Sequence, residues 1–514
     1  MSAGGADAGA GPVRYGAWSR DRQGWFLGLG GGQLITAGVG GAPLLAAVTA
    51  HVWLVALAWL PVWSVIIVLT VVPVRGRPAF RWALDSLHRA FGVVTGWSDW
   101  QSRAVTGRSN DLAEADLPGV LSGVRTHDGP PTGLLLQRPA IVVDNRERTW
   151  AVVARVQHPG IGLAEGRDRN RMGAGLAQLL EGAATGELVS ALVLQVRTVP
   201  DDGAERAAWQ QRHLRADAPP LALAVNAQLG VMMAQSGVRH ETFVTLVVPE
   251  SRIARQAKEA GGGVDGRARV LYGVMNEVEA GLRGAIGATA VDWLDTAALA
   301  AAVRTGFAPG DRGALVAAEL AAAGDPTVAS SLPMGAAGPT SAPTAPARHY
   351  SHDAWDTVTC TVLLPDKGAV MGALAPVLTP TVPGERRCVT VFYEPIGHDA
   401  AERMIGNDAM SSGLAAEMRR KGGFVQRASH RRDADRVAGQ DLRLADGNAL
   451  VRVAIAAAVT VPNTWSIIDY GRRLEANITS SGFKPLRLDL AQDSGMAAAC
   501  IPLGIGLPGR RSGR

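Results

Sequence analysis

At 514 residues the chain is long enough for two or three domains, each burying its own core. With 47% hydrophobic and 19% charged residues it is poor in charge for a fully soluble protein of this size. A net charge of +5 over that length makes no case for nucleic acid, and Cys360, Cys388 and Cys500, with no CxxC spacing, exclude a disulfide framework or a zinc site and fit a reduced compartment. Only four of the 51 basic residues are lysine (Lys258, Lys367, Lys421, Lys484), a coding bias without chemical content.

Residues 1–23 open as "MSAGGADAGAGP", a small-residue cytoplasmic tail expected to be disordered, with no signal-peptide pattern. From Gly24 to Val74 there is no Asp, Glu, Lys or Arg. About 46 residues of helix would run roughly 69 Å, against a hydrocarbon core of about 30 Å, so the run predicts two spans. They are expected at 33–49 and 52–72, turning near Thr49-Ala50-His51. Pro43 and Pro61 fall inside the spans, where proline is tolerated. Trp18, Trp25, Trp53, Trp59 and Trp63 sit on or beside them, as interfacial anchors do. Arg14, Arg20 and Arg22 precede the hairpin and Arg75, Arg77 and Arg81 follow it, which places both termini in the cytoplasm of an inner (plasma) membrane. The glycines of "GWFLGLGGGQLI", residues 24–35, lack the third glycine of a dinucleotide loop, and no acid follows until Asp85. They read as a flexible membrane entry across the 24–74 hairpin.

Residues 75–107 carry Trp82, Phe91, Trp97 and Trp100 with arginines between, the pattern of a membrane-proximal amphipathic helix or of an ordinary connecting helix. Beyond it, 108–324 and 348–508 each alternate strands with helices. The stretch 325–347, with five prolines among small polar residues, reads as a linker, and 509–514 as a basic tail. Landmarks recur in the two pieces. "TWAVVARVQHP" from Trp150 matches "AWDTVTCTVLLP" around Trp355; Pro200 matches Pro395; "FVTLVVPE" matches "AAAVTVPN"; "DWLDTAALAAAV" matches "RLDLAQDSGMAAAC". The expected fold class is therefore α+β, a transmembrane two-helix hairpin followed by two similar, possibly duplicated, cytoplasmic units. Convergence of generic strand-proline-helix units is the alternative.

Catalytic signatures are absent from the reading. "GGGVDGRA" (261–268) has phosphate-loop glycine spacing but ends in Arg267-Ala268 instead of Lys-Ser/Thr, so it cannot hold the metal. His127-Asp128, His352-Asp353 and His398-Asp399 fall in predicted loops or helix starts, where Asp is an ordinary cap. There is no HExxH and no GxSxG elbow. The basic run 418–436 would suit DNA, anionic lipid or an acidic partner, but Phe424 is its only aromatic and a solvated face explains such runs more often. No catalytic, cofactor-binding or metal-ligating residue is assigned.

Two segments resemble known families. "FLGLGGGQL", at Phe26 to Leu34, followed by a tight hairpin, resembles the PrgI-like inner-membrane subunits of type IV secretion systems. Gly28-Leu29 and Gln33-Leu34 match, and Gly32 stands where a basic residue is usual. "LRLDLAQDSGMAAACIPLGIGL" (486–507) is similar to the end of the N-terminal domain of TraC-like conjugation ATPases. Gln492-Asp493 and Pro502-Leu503-Gly504 match, with Met496 in place of an aromatic and Ile501 of leucine. The resemblance implies an actinobacterial two-span membrane protein of conjugation clusters. Its function would be that of a non-enzymatic scaffold in an oligomeric translocation complex, contacting membrane lipid, other subunits and a secretion ATPase supplied as a separate chain. The sequence ends at Arg514, where TraC-like chains continue into the motor, so 490–508 is the expected docking segment. The alternatives are an EccE-like subunit of a type VII secretion complex and a membrane-tethered hydrolase.

Overall fold

The computed structural model describes residues 13–16, 31–71, 73–74, 77–108, 111–162, 164–200, 203–215, 217–325, 327–365, 367–421 and 428–508. The fold is mixed helix and sheet, as expected. The chain divides into two compact units: Ser19–Trp97 with His398–Leu450, and Met1–Trp18 with Ser98–Gly397 and Val451–Arg514.

In the first of these, α1 (Gly31–Thr49) and α2 (Trp53–Val71) form a helical hairpin, each 19 residues long, or about 28 Å. Its turn sits at His51, which takes a left-handed φ of 57°. The window Trp53–Thr70 of α2 has a mean hydropathy of 2.2 and is long and apolar enough to cross a membrane. In α1 the stretch Gly38–Thr49 is likewise apolar. A two-residue ribbon, Pro73–Val74 with Arg77–Pro78, leads into α3 (Ala79–Thr95). Most of the glycine-rich entry, residues 24–30, together with Trp18 and Trp25, lies outside the described residues.

The other unit is built on an eleven-stranded sheet. Its first part runs β1 (Val124–Asp128), β2 (Ala140–Asp144), β3 (Thr149–Gln157), α4 (Gly166–Gly186), β4 (Ala191–Pro200), α5 (Ala204–His213), α6 (Pro220–Ser236) and β5 (Val238–Pro249). There follow α7 (Glu250–Glu259), α8 (Gly263–Gly281), β6 (Ala290–Trp293), α9 (Thr296–Phe307) and α10 (Arg312–Gly324). Its second part runs β7 (Tyr350–His352), β8 (Trp355–Leu363) and β9 (Arg386–Ile396), leaves the unit as α11 (His398–Lys421) and α12 (Ala428–Ala445), then returns as β10 (Leu450–Pro462). It closes with α13 (Ile467–Ser480), β11 (Lys484–Arg487) and α14 (Gln492–Cys500).

The strand order is β7-β8-β10-β9-β4-β5-β3-β2-β1, with β6 also on β3 and β11 also on β8. Each half therefore has the same plan: a leading strand (β2 or β7) and a late strand (β6 or β11) share one edge of the first long strand. The third long strand lies between the first and the second. That is the ferredoxin-like split β-α-β arrangement, once per half. The halves meet at β4 and β9, which pair antiparallel from Arg387↔Thr198 to Tyr393↔Leu192. Gln195↔Thr390 is the midpoint, and residues 195 apart exchange places about it.

Both faces of the sheet are covered, so the long strands are apolar on both sides. Along β3, Ala151 and Val153 face one core while Trp150, Val152 and Ala154 face another. Along β10, Ala454, Ala456 and Ala458 join the first core, and Ile455, Ala457 and Val459 a third. The first core is common to both halves and takes in α9 and α14. α14 packs closely on β8, where a Cβ on Gly495 would lie 3.2 Å from Thr359 Cβ.

Three expectations change. The two pieces 108–324 and 348–508 do not form separate bodies, since one sheet and one core run through both. The proline-rich stretch 325–347 is not a free tether. Met334, Gly335, Ala337 and Ala342 are buried, Gly335 N–H donates to Leu112 O at 2.8 Å, and Ser341–Ala342 pairs with Trp100–Gln101. Trp150 and Trp355 are not equivalent: Thr149 faces Pro249 where Trp355 faces Pro462, one residue out of step. Most of 490–508 is interior: Gln492, Met496, Cys500, Ile501 and Leu503 are buried, while Asp493 and Ser494 are half-buried and Gly506 is exposed.

Candidate membrane interface

Glycine notches join the two helices of the apolar hairpin. Trp59 Nε1 donates to Gly40 O at 2.9 Å, and a Cβ on Gly41 would lie 2.9 Å from Trp63 Nε1. Small residues on α1 thus admit the large rings of α2, as in helix pairs packed within lipid. The hydroxyls are satisfied internally: Thr49, Ser64 and Thr70 each donate to the carbonyl four residues back, at 3.0, 2.9 and 2.8 Å. The outer surface shows Ile35, Leu45, Leu54, Leu57 and Val65. Hydrocarbon tolerates such a surface and water does not.

Helix α3 presents a stripe at helical spacing, Leu84, Leu87, Phe91 and Val94, with every member exposed. Asp85, His88 and Arg89 lie off it. Gly96, in the left-handed region at φ 66°, ends the helix, and exposed Trp97 follows. Of the four aromatics expected on this collar, Phe91 and Trp97 are on exposed surface and Trp82 is half-buried. Trp100 is not on the collar. It pairs with Ala342 and packs against the shared core, so 98–107 belongs with the sheet.

The residues that suggested chemistry are dispersed. Arg267 donates to Gly263 O at 2.9 Å, pairs with Glu250 at 2.8 Å and lies over the Trp150 ring at 5.0 Å. The 261–268 glycines make the tight turn from α7 to α8: Gly261, Gly262 and Gly263 have φ of 112°, 72° and 62°. Asp128 accepts from Thr296. Asp353, at φ 50°, pairs with Arg304 at 3.1 Å, and His398 pairs with Glu402 at 3.3 Å. Among the described residues no group of three His, Cys, Asp or Glu could hold a metal. Residues 422–427 of the basic run, and most of its side chains, lie outside the described residues.

The polar groups that do converge are buried at the seam of the halves, and sequence alone did not single them out. Arg197 donates to Ala302 O at 2.9 Å and pairs with Glu241 at 2.8 Å, its guanidinium 4.6 Å from the Phe243 ring. Arg386 donates to Thr305 O, Gly306 O and Thr460 Oγ1 at 2.9, 2.6 and 2.6 Å. One arginine from each half thus caps the C-terminal carbonyls of α9, where the helix dipole favours a cation. At the matching end of α14, Gln195 and Thr390 both donate to Ala499 O, at 2.7 and 2.8 Å. His352 shares a chain with Thr357 and Thr460, each link 2.8 Å. Its pKa falls to about 3, mainly by burial and next by Arg386, so it is neutral. Burial likewise raises the pKa of Cys388, and all three cysteines are buried free thiols. These groups bond mainly to one another and to helix ends inside the core, although Gln195 Oε1, Arg197 Nε and Arg386 Nε are buried without a hydrogen-bond partner.

No protein-family model matches the chain, and no curated protein matches it.

Proposed function

We propose that this chain is a membrane-anchored scaffold subunit of a type IV secretion/conjugation-like translocation complex, holding a separate secretion ATPase, and is not itself an enzyme. The observation that carries the anchor is α2, long and apolar enough to cross a bilayer, followed at once by an amphipathic helix with an uncovered stripe. The reading takes α1 as a second span, supported by the notched α1–α2 packing and the arginines outside both ends. It takes the two halves as copies of one ancestral unit, supported by their shared strand order and by Pro200/Pro395 keeping the same 195-residue offset as the β4–β9 seam. The resemblances at 26–34 and 486–507 supply the secretion context. The PLG sequence of the latter has a structural use: Gly504, at φ 76°, lies against Val247, where a Cβ would come within 2.7 Å.

Reporters fused at position 10 and after residue 110 should read cytoplasmic and one near His51 outside; opposite locations for the two ends would sink the two-span reading. Full-length chain drawn from native membranes should bring a motor ATPase with it while hydrolysing no ATP when purified alone. Saturable hydrolysis by the pure chain, or purification without any ATPase, would contradict the scaffold.

A further inference from the structure

The hairpin loop between β1 and β2, "GPPTGLLLQRP" at 129–139, carries three leucines at its tip. Leu134 is fully exposed, Leu135 82% and Leu136 69%. Turn tips are ordinarily polar or glycine, and this one is held firmly in place. Thr132 N–H donates to Gln137 O at 2.8 Å, Gly129 N–H to Pro139 O at 3.0 Å, and Tyr272 Oη to Pro130 O at 2.7 Å. Gly133 at φ 69° and Leu136 at φ 49° complete the turn, the latter in a region leucine seldom enters. A rigid apolar tip is poised to insert.

A second uncovered apolar element shares this end of the sheet. Helix α6 exposes Leu221, Val225, Leu229 and Met232, and no charged residue occurs between Asp217 and Arg239. Its polar contacts are with α5, through Asn226 to Arg206 and Gln210. A helix apolar all round is normally buried. The registers fix the shared end: Asp128↔Ala140 closes β1 on β2, Val156↔Thr242 brings the end of β3 to the start of β5, and Pro200↔Val238 closes β4 on β5. From the β1–β2 loop to the β4–β5 connection is about three strand spacings, roughly 14 Å. Whatever covers both must be broad and nearly flat.

We propose that this end of the sheet is a lipid-binding surface, with Leu134, Leu135 and Leu136 inserted into the bilayer and α6 lying in its interface. The occupant follows from three observations. The surface is wide, its two apolar elements carry no acid (Arg138 is the only charge between Asp128 and Asp144, and there is none between Asp217 and Arg239), and the same chain carries a span, which keeps lipid at high effective concentration. The inference rests on the membrane reading above.

The test uses the full chain in nanodiscs of phosphatidylcholine and phosphatidylglycerol. Spin labels go one at a time onto Leu135→Cys, Val225→Cys, Leu57→Cys on α2 and Arg255→Cys on α7, at the opposite end of the same half. The native cysteines are buried and stay unlabelled, and the four exposed sites carry little of the fold. Collisions with oxygen and with a water-soluble nickel chelate report depth. Labels at 135 and 225 should favour oxygen as the one at 57 does, and the one at 255 should favour nickel. A label at 135 that favours nickel overturns the proposal, as does one shielded from both reagents, the sign of a protein partner. If the label at 57 itself favours nickel, the membrane reading has failed instead.

Discussion

The two halves of the sheet follow one plan and differ in what they insert into it. In both, the second and third long strands are joined by a helical pair. In the first half that pair, α5 and α6, stays in the sheet-bearing unit and ends in an apolar helix. In the second it is longer and polar, α11 and α12, and belongs to the unit that contains α1 to α3. The first crossover differs too: α4 has 21 residues, whereas its counterpart is the single turn Ala375–Leu378. The shared strands carry the core and the insertions carry the surfaces, so equivalent framework positions should be costly to change and the insertions cheap.

The largest effect should come from α14. Met496, Ile501, Leu503 and Leu507 are all buried, and at about 1.5–3 kcal/mol each their loss approaches the whole stability of about 5–15 kcal/mol expected of a domain. A chain ending at residue 490 should show no cooperative unfolding by circular dichroism. A sharp transition in that truncated chain would mean that the second half closes without its last helix.

Next is the seam, where the matching helix ends are served unequally. α9 takes both arginines, while α14 takes mainly the neutral donors Gln195 and Thr390. Glu241→Gln leaves Arg197 buried without its counter-charge and should cost about 3–5 kcal/mol, read from urea midpoints; Thr390→Val, which removes one neutral hydrogen bond, should cost about 1 kcal/mol. Equal losses would erase the asymmetry.

His352 makes the same seam sensitive to acid. Its folded pKa of about 3 lies below the unfolded value of about 6.5. The stabilisation is therefore complete above the unfolded pKa and is lost as pH falls from there towards the folded one. His352→Gln should flatten the decline in urea midpoint between about pH 6.5 and 4. An unchanged slope would place the acid sensitivity elsewhere. Gly504→Ala combines a left-handed residue with a contact on Val247 and should cost about 1–3 kcal/mol. At the small end, Met232→Gln on exposed α6 should shift stability by less than about 0.5 kcal/mol; a larger loss would show that α6 is core.

Much of this framework was legible. The charge-free run located both helices of the hairpin to within two residues, and Pro200/Pro395 anticipated the offset about which the seam is symmetric. The tryptophan landmarks misled by one residue because a large ring fits either face of a sheet buried on both sides. The 325–347 stretch looked like a tether because prolines and small residues have no periodicity. Yet Arg304 Nη1 holds Gly338 O at 2.7 Å, a contact no local pattern announces. The burial of α14 was not legible, because a helix buried on most sides has no continuous polar face to reveal which side is inside. The leucine tip was visible as an apolar triplet between turn residues, a pattern that composition averages conceal.

The account stands on the halves being one body through β4 and β9. Hydrogen exchange along a urea titration of the full chain in detergent reads both strands at once. Amides of 191–200 and of 386–396 should lose protection at the same midpoint, together with β5 and β10. If β4 and β9 open at different midpoints, the halves are independent domains that happen to abut, and the fused sheet is wrong.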